Sequence, residues 1–193
     1  MSSRIRIIGG QWKRRLLPVP GAPGLRPTPD RVRETLFNWL GQDLSGWRCL
    51  DLFAGSGALG VEAASRGARQ VLMVEQNAAI VRGLQASVRQ LGAEQIIDVI
   101  RADATRWLDQ RPPMLQDLIL LDPPFRCGWL PRILPAVLPW LAPDGVVYVE
   151  SDFMLTDDWL RQTGCAALGI IRAGRAGQVH YQLLQHNGQE APA

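Results

Sequence analysis

From residue 48 onward, short apolar runs alternate with amphipathic stretches, and this alternation limits the possible folds more than any other feature. The apolar runs predict buried strands at residues 49–53, 71–74, 96–100, 118–121 and 146–149. The amphipathic stretches predict helices at residues 58–66, 78–91, 105–108 and 156–162. Strands that alternate with helices form an α/β fold, a parallel sheet with helices on both faces. Two final apolar stretches, residues 167–172 and 178–184, predict an antiparallel pair that closes the sheet.

The first 33 residues carry most of the positive charge. They hold eight basic residues and one acidic residue, net +7, whereas residues 34–193 hold thirteen basic and seventeen acidic residues, net −4. Alternating apolar and polar side chains over residues 4–19 predict a short hairpin with a basic face, in which Trp12 is the candidate for contact with a base. A proline-rich loop, residues 18–29, follows, and Asp30 is predicted to cap a helix. The charge indicates either a nucleic-acid or anionic surface contact or a solvated basic tail.

The composition is typical of a cytoplasmic protein. Cys49, Cys127 and Cys165 are widely spaced, which excludes a disulfide framework and offers no metal-binding pattern. No apolar run reaches the roughly 18 residues of a membrane helix, so we expect no membrane contact. We expect a monomer with three parts. They are a hairpin-and-loop extension at residues 1–29, a catalytic domain at residues 30–186 and a frayed tail at residues 187–193.

A glycine-rich loop at residues 51–60, D-L-F-A-G-S-G-A-L-G, follows a predicted strand and opens a predicted helix. It contains G-x-G-x-x-G, and Glu75 ends the next strand. Glycines let a ligand approach the backbone, and a carboxylate can accept hydrogen bonds from the hydroxyls of a ribose. A nicotinamide dinucleotide and S-adenosylmethionine both fit these two features. Asp51 favours S-adenosylmethionine, because a carboxylate attracts its cationic groups and repels a pyrophosphate. Asp103 is predicted either to accept from the adenine amine or to cap a helix.

The tetrad D-P-P-F at residues 122–125 follows another apolar run. Ligands bind at the carboxyl ends of strands in such sheets, so we expect the tetrad beside the glycine loop. The Asp122 side chain and the Pro123 carbonyl can both accept from one exocyclic NH₂, while Phe125 stacks on the base. Two acceptors aim the nitrogen lone pair at a methyl group, so positioning supplies most of the catalysis. The tetrad does not choose between guanine N2 and adenine N6.

Prolines recur at every fourth residue through the next segment, which is otherwise apolar and typical of a helix. They are Pro131, Pro135, Pro139 and Pro143. Pro131 fits a first helical turn, whereas Pro135 and Pro139 are expected to kink or break the helix, because each removes a backbone hydrogen bond.

Four segments together resemble a bacterial family of 16S ribosomal RNA guanine-N2 methyltransferases, the RsmD family. They are R-I-R-I-I-G-G at residues 4–10, R-P-T-P-D-R-V-R-E-T-L-F-N at residues 26–38, the glycine loop and the tetrad. The segment at residues 26–38 is far more specific than the tetrad, which occurs in many amino-methylating enzymes. The resemblance extends from residue 4 to about residue 184, and the four-proline segment departs from it.

The resemblance implies a Rossmann-like class I methyltransferase fold, with a seven-stranded, mostly parallel sheet, an antiparallel C-terminal strand and an N-terminal hairpin. It implies S-adenosylmethionine as donor and N2 of guanine 966 of 16S rRNA, in assembled or assembling small subunits, as acceptor. The residues assigned to the cofactor are Thr28, Arg31, Asp51, Phe53, Ala54, Gly55, Gly57, Glu75, Gln76, Asp103 and Ala104. The residues assigned to the target base are Asp122, Pro123 and Phe125. The residues assigned to RNA are Arg4, Arg6, Trp12, Lys13, Arg14, Arg15 and Arg26. The residues implied to close the site are Arg26, Thr28, Arg31 and Glu34.

Other functions stay open at this point. The tetrad also fits an adenine-N6 methyltransferase acting on DNA or RNA. A non-catalytic RNA-binding factor of ribosome assembly would keep the same fold, and a dinucleotide-dependent dehydrogenase would share the glycine loop.

Overall fold

The computed structural model describes residues 4–19, 27–110 and 114–188. At the N-terminus, β1 (Arg4–Arg6) pairs antiparallel with β2 (Leu16–Pro18), which confirms the predicted hairpin. The other strands form one sheet. They are β3 (Arg48–Asp51), β4 (Gln70–Glu75), β5 (Ile97–Arg101), β6 (Gln116–Leu121), β7 (Leu141–Ser151), β8 (Leu168–Ala176) and β9 (Val179–His186). The sheet order is β5-β4-β3-β6-β7-β9-β8, and β9 runs antiparallel to both its neighbours. The mostly parallel, seven-stranded sheet is therefore confirmed.

Helices cover both faces of this sheet. They are α1 (Asp30–Trp39), α2 (Ala58–Ser65), α3 (Ala78–Leu91), α4 (Ala104–Leu108), α5 (Leu130–Val137) and α6 (Asp157–Gln162). Along β6, Leu118 and Leu120 belong to the core cluster of α1, α2 and α3, whereas Ile119 and Leu121 belong to that of α4, α5 and α6. A strand buried on both faces needs apolar residues at every position, which explains the continuous apolar run. In the described ranges, no helix is long and apolar enough to cross a membrane.

Two segment ends differ from the predictions. Helix α1 is preceded by Pro29 at the N-cap position without a side-chain cap, and the carboxylate of Asp30 pairs with Arg33 instead of capping the helix. At the other end of the chain, the Asn187 side chain donates to the Ala166 carbonyl at 2.8 Å, so the predicted frayed tail does not begin there. Residues 189–193 lie outside the described residues.

The four-proline segment is more helical than predicted. Pro131 lies in the first turn of α5, as expected, but the helix continues past Pro135 to Val137. It then tightens into a 3-10 turn (Leu138–Trp140) that contains Pro139. Ile133 and Leu134 of α5 are fully buried, and this packing stabilises the helix despite the backbone hydrogen bond that proline cannot make.

Glu62 of α2 anchors the N-terminal hairpin to the main domain. Its carboxylate accepts the backbone N–H groups of Ile8 at 2.9 Å and Gly9 at 2.7 Å. It also accepts the guanidinium groups of Arg33 at 3.2 Å and Arg66 at 2.9 Å. Glu62 and Arg33 are each only 1% exposed. A buried carboxylate with four donors is fully compensated, so the loss of this one group would leave several buried donors unpaired.

Arg33 and Trp12, both from the basic N-terminal segment, are buried. Arg33 bonds to the Arg6 carbonyl and to Glu62, so its charge is neutralised inside the protein and does not face a partner. Trp12 is 6% exposed, belongs to the larger core cluster and donates its backbone N–H to the Ser65 hydroxyl. The burial of Trp12 corrects the expectation that its ring contacts a base. The hairpin is therefore packed against α2 through apolar as well as polar contacts.

We predict that Glu62→Ala lowers the free energy of unfolding by about 3–5 kcal/mol, because Arg66 would keep a buried charge without a carboxylate partner and Arg33 would keep only the exposed carboxylate of Asp30. Urea unfolding followed by circular dichroism measures this change. Glu94→Ala, which removes an exposed carboxylate beyond α3, is the matched control and should change stability by less than about 0.5 kcal/mol. Equal stabilities of the two variants would contradict the anchoring role.

Candidate active site

Acidic side chains line the carboxyl edge of the sheet. Asp51 ends β3, Glu75 ends β4, Asp103 follows β5, Asp122 follows β6 and Glu150 lies at the end of β7. Ligands of open α/β sheets bind at this edge, so the structure places the predicted glycine loop and tetrad together, as expected.

The glycine loop has a conformation that requires glycine. Gly57 has φ +81°, and a Cβ there would lie 2.7 Å from a Leu84 methyl group. A Cβ on Gly60 would lie 3.0 Å from Oδ2 of Asp51, which accepts the Gly60 N–H at 3.0 Å. The loop therefore passes close over Asp51, and side chains at Gly57 and Gly60 would prevent this packing. Ala54, within the loop, is buried and donates its N–H to the Val74 carbonyl.

Glu75 is held by the loops on either side of it. Its Oε2 accepts the Gly55 N–H at 3.1 Å, and its Oε1 accepts the Asn77 N–H at 2.7 Å. A carboxylate has about four acceptor positions, so each oxygen can take one more donor. This fixed and half-buried carboxylate can bind a pair of vicinal hydroxyls. Gln76, the next residue, is exposed at the same edge.

Asp103 caps α4, which confirms one of its two predicted roles. Its Oδ1 accepts the backbone N–H groups of Thr105 at 3.1 Å and Arg106 at 3.2 Å. The Thr105 hydroxyl also donates to this oxygen and is the main cause of the lowered pKa of Asp103. Within the described part of the chain, no hydrogen bond reaches Oδ2, so capping leaves one oxygen for an amine. Ala104, the first residue of α4, is buried.

Asp51 is a buried carboxyl group with a strongly perturbed proton affinity. It is 2% exposed, and burial is the main cause that raises its pKa to about 7. The neighbouring carboxylates of Glu75 and Glu150 raise the pKa further, while N–H groups of Gly60 and Phe53 act against them. A cation bound nearby would favour the ionised form.

Two further buried carboxyl groups, those of Asp122 in the tetrad and Glu150 on the neighbouring strand, lie close together. The Thr28 hydroxyl is 3.0 Å from Oε1 of Glu150 and 3.5 Å from Oδ2 of Asp122, and Tyr148 donates to the same Oε1 at 3.0 Å. Burial raises the pKa of both acids, and the charges of Glu150 and Asp51 raise that of Asp122 further. Thr28, assigned to the cofactor by resemblance, therefore contacts the carboxyls on the tetrad side.

Sequence reasoning missed Glu150 and Tyr148. The sequence signature of Glu150 is a carboxylate placed directly after the apolar run of β7. The same arrangement drew attention to Asp51 and Asp122. A buried acid at the carboxyl end of a strand is costly unless it is paired or functional, so this position could have been recognised.

A cavity of about 270 Å³ opens beside the tetrad, with Pro123, Phe125, Glu150 and Phe153 in its wall. Phe125 is 36% exposed, so its ring is available for stacking. Trp129, also in the wall, meets the Phe53 ring edge-on with centroids 5.7 Å apart. Phe53 belongs to the glycine loop, and this contact joins the cavity to that loop.

The remaining predicted residues lie at the surface. The exposed basic side chains of the hairpin are Arg4, Arg6, Lys13, Arg14 and Arg15. Arg31 and Glu34 are exposed on α1, whereas Arg26 lies outside the described residues.

Comparisons with known proteins first define the class. A tRNA methyltransferase of M. jannaschii superposes with a TM-score of 0.69 over 97% of this chain and 57% of its own, at 13% identity, and shows the fold alone. The solved structure of the Escherichia coli protein yhhF, assigned as a methyltransferase, matches with a TM-score of 0.83 and 42% identity over 97% of this chain and 100% of its own. The fold is that of a class I methyltransferase.

The family follows from two further matches. The family model described as conserved hypothetical protein 95 matches residues 5–185. The ribosomal RNA small subunit methyltransferase D of Escherichia coli K12 is 43% identical over 97% of this chain and 93% of its own. That of Haemophilus influenzae is 36% identical over 94% of each chain. The chain belongs to this family, the RsmD family of methyltransferases.

We predict that Asp51→Asn becomes more stable relative to the wild type as pH rises. The folded-state pKa of about 7 lies above the ordinary value of 3.8, so the stabilising contribution of protonated Asp51 is complete below pH 4 and is lost as pH rises through 7. Over that interval the difference in free energy of unfolding should grow by up to about 4 kcal/mol in favour of the variant. Urea titrations at several pH values measure it, and parallel pH profiles would contradict the raised pKa.

Proposed function

We propose that this protein transfers a methyl group from S-adenosylmethionine to N2 of guanine 966 in 16S rRNA of the small ribosomal subunit. The observation that carries the proposal is that the tetrad Asp122–Phe125 lies at the same sheet edge as the glycine loop, with a cavity beside the tetrad and the half-exposed Phe125 in its wall. The relatives named ribosomal RNA small subunit methyltransferase D support the choice of substrate.

The residues of the glycine loop fit the proposed cofactor. Asp51 offers a buried carboxyl group to the cationic amino acid end, and Glu75 has free acceptor positions for the ribose. Asp103 can accept a hydrogen bond from the adenine amine through Oδ2. Phe53, Ala54, Gln76 and Ala104 are proposed as further contacts to the cofactor. When bound, the cofactor supplies an electrophilic methyl group. Arg31, exposed on α1, is proposed as a further contact to the cofactor.

The tetrad acts on the target amine. The Asp122 carboxyl and the Pro123 carbonyl accept its two hydrogens, which turns the nitrogen lone pair out of conjugation with the ring. Phe125 stacks on the base and holds it against the cavity wall. Methylation leaves a positively charged nitrogen that must lose a proton. Asp122, whose pKa is raised by burial, is placed to take it up.

The hairpin is the proposed contact to the RNA backbone. Its exposed arginines and Lys13 can neutralise phosphates, while the target base is turned out of its stack into the cavity. Arg26 is proposed to contribute to the same surface. We also propose that the protein acts as a monomer in the cytoplasm, on assembled or assembling subunits.

We predict that Asp122→Ala lowers methyl transfer to small ribosomal subunits by about 100- to 1000-fold, because one of two acceptors for the amine is removed. Cofactor affinity, measured by calorimetry, should stay within about threefold. Asp144→Ala removes an exposed carboxylate at the far end of β7 and serves as control.

Nucleoside analysis of the product then identifies the reaction. N2-methylguanosine supports the proposal, whereas N6-methyladenosine, from RNA or from DNA, would replace it with the adenine alternative. If a cell that carries Asp122→Ala shows normal subunit assembly while a deletion does not, the assembly-factor alternative is favoured.

We predict that Arg14→Gln/Arg15→Gln weakens binding to the small subunit and flattens its salt dependence. The slope of log K against log salt should fall by about 0.7–0.9 for each phosphate that the variant no longer neutralises. The matched control is Arg82→Gln/Arg89→Gln, which removes two exposed charges from α3. Equal slopes for both pairs would contradict a hairpin interface, and a loss of cofactor affinity would contradict the separation of the two functions.

A further inference from the structure

Glu150 lies beside Asp122 in the wall of the cavity. Leu121 of β6 pairs with Val149 of β7, so the two acids that follow are level on neighbouring strands about 4.8 Å apart. Glu150 is 3% exposed and lines the same cavity as Pro123 and Phe125. Glu150 therefore lines the space that a base would occupy, and Asp122, next to it, directly precedes Pro123 of the cavity wall.

The two oxygens of Glu150 are used differently. Oε1 accepts both hydroxyls, from Thr28 and Tyr148, each at 3.0 Å. In the described ranges, no hydrogen bond reaches Oε2. Glu150 lines the cavity, so a donor on a bound base can reach Oε2 from there. The two hydroxyls fix the side chain and favour its ionised form.

Two neighbouring acceptors match the hydrogen-bonding edge of guanine. Guanine presents the N2 amine and the N1–H as adjacent donors, whereas adenine presents an amine next to N1, which is an acceptor. Enzymes that take a base out of its stack read this Watson–Crick edge. An acceptor beside Asp122 would therefore accept a bond from guanine and repel adenine.

We propose that Oε2 of Glu150 accepts the N1–H of the target guanine while Asp122 and the Pro123 carbonyl hold the N2 amine. Glu150 is then the residue that selects guanine over adenine, and Thr28 and Tyr148 are positioning residues that hold Oε1. This inference rests on the proposed guanine-N2 transfer. A site built to bond a substrate N–H discriminates strongly against an analogue that lacks it, because the buried acceptor is left unpaired.

The test uses 2-aminopurine, which keeps the 2-amine but carries an acceptor at N1. Small subunits are reconstituted with guanine or 2-aminopurine at the target position, and kcat/KM for methyl transfer is measured on each. The wild type should prefer guanine by at least about 100-fold. In Glu150→Gln the amide can donate to N1 of 2-aminopurine, so kcat/KM on guanine should fall about 10- to 100-fold and the preference should fall at least about tenfold.

Three outcomes separate the two proposals. If the wild type does not methylate guanine-containing subunits, the proposed function fails. If the wild type methylates guanine and 2-aminopurine equally well, the enzyme does not recognise the N1–H and Glu150 has no selective role. This outcome overturns the inference from the wild type alone. If Glu150→Gln lowers both reactions by the same factor, the residue is structural only and the inference is overturned. Asp144→Asn, at the far end of the same strand, should keep the wild-type preference, and retained cofactor affinity shows that Glu150→Gln is folded.

Discussion

Three carboxyl groups, those of Asp51, Asp122 and Glu150, lie buried within reach of one another's charge at one edge of the sheet. The parallel register fixes this arrangement, because each acid directly follows or ends an apolar strand. Like charges in a medium of low polarity cannot all be ionised at neutral pH, so protons are retained in the free protein. Donors from the glycine loop, from Thr28 and from Tyr148 offset part of the cost. These donors come from α2, from the segment before α1 and from β7.

The same donors connect the two ligand regions. The Gly60 N–H binds Asp51 from the first turns of α2, and Glu62, two residues further along, holds the hairpin. One short helix therefore bears on both the proposed cofactor loop and the proposed RNA surface. On the other side of the site, Thr28 leads into α1 and touches both carboxyls of the tetrad side.

Periodicity was sufficient to predict most of the scaffold. Helix α3 has the predicted bounds, and the strands differ from the predictions mainly at their ends, because apolar runs and amphipathic faces report burial directly. Helix α5 was underestimated, since tertiary packing of Ile133 and Leu134 outweighs the local cost of Pro135. Counting charge assigned Arg33 to the surface, because a formal charge carries no information about the partner, Glu62, that lies 29 residues away. Trp12 was misjudged for the same reason: its neighbours in sequence are basic, but those in space are apolar.

The close fit of Gly10 against α2 bears on how this architecture can be reused. Gly10 has φ +73°, and a Cβ on it would lie 1.7 Å from the Ser65 carbonyl oxygen, so backbone meets backbone there. A hairpin seated in this way is not a module that can be cut off and grafted onto another methyltransferase. Transplanting it would require the receiving helix to carry both a glutamate and a serine one turn apart. Hairpin and helix therefore form one packed unit, in which neither part keeps its contacts without the other.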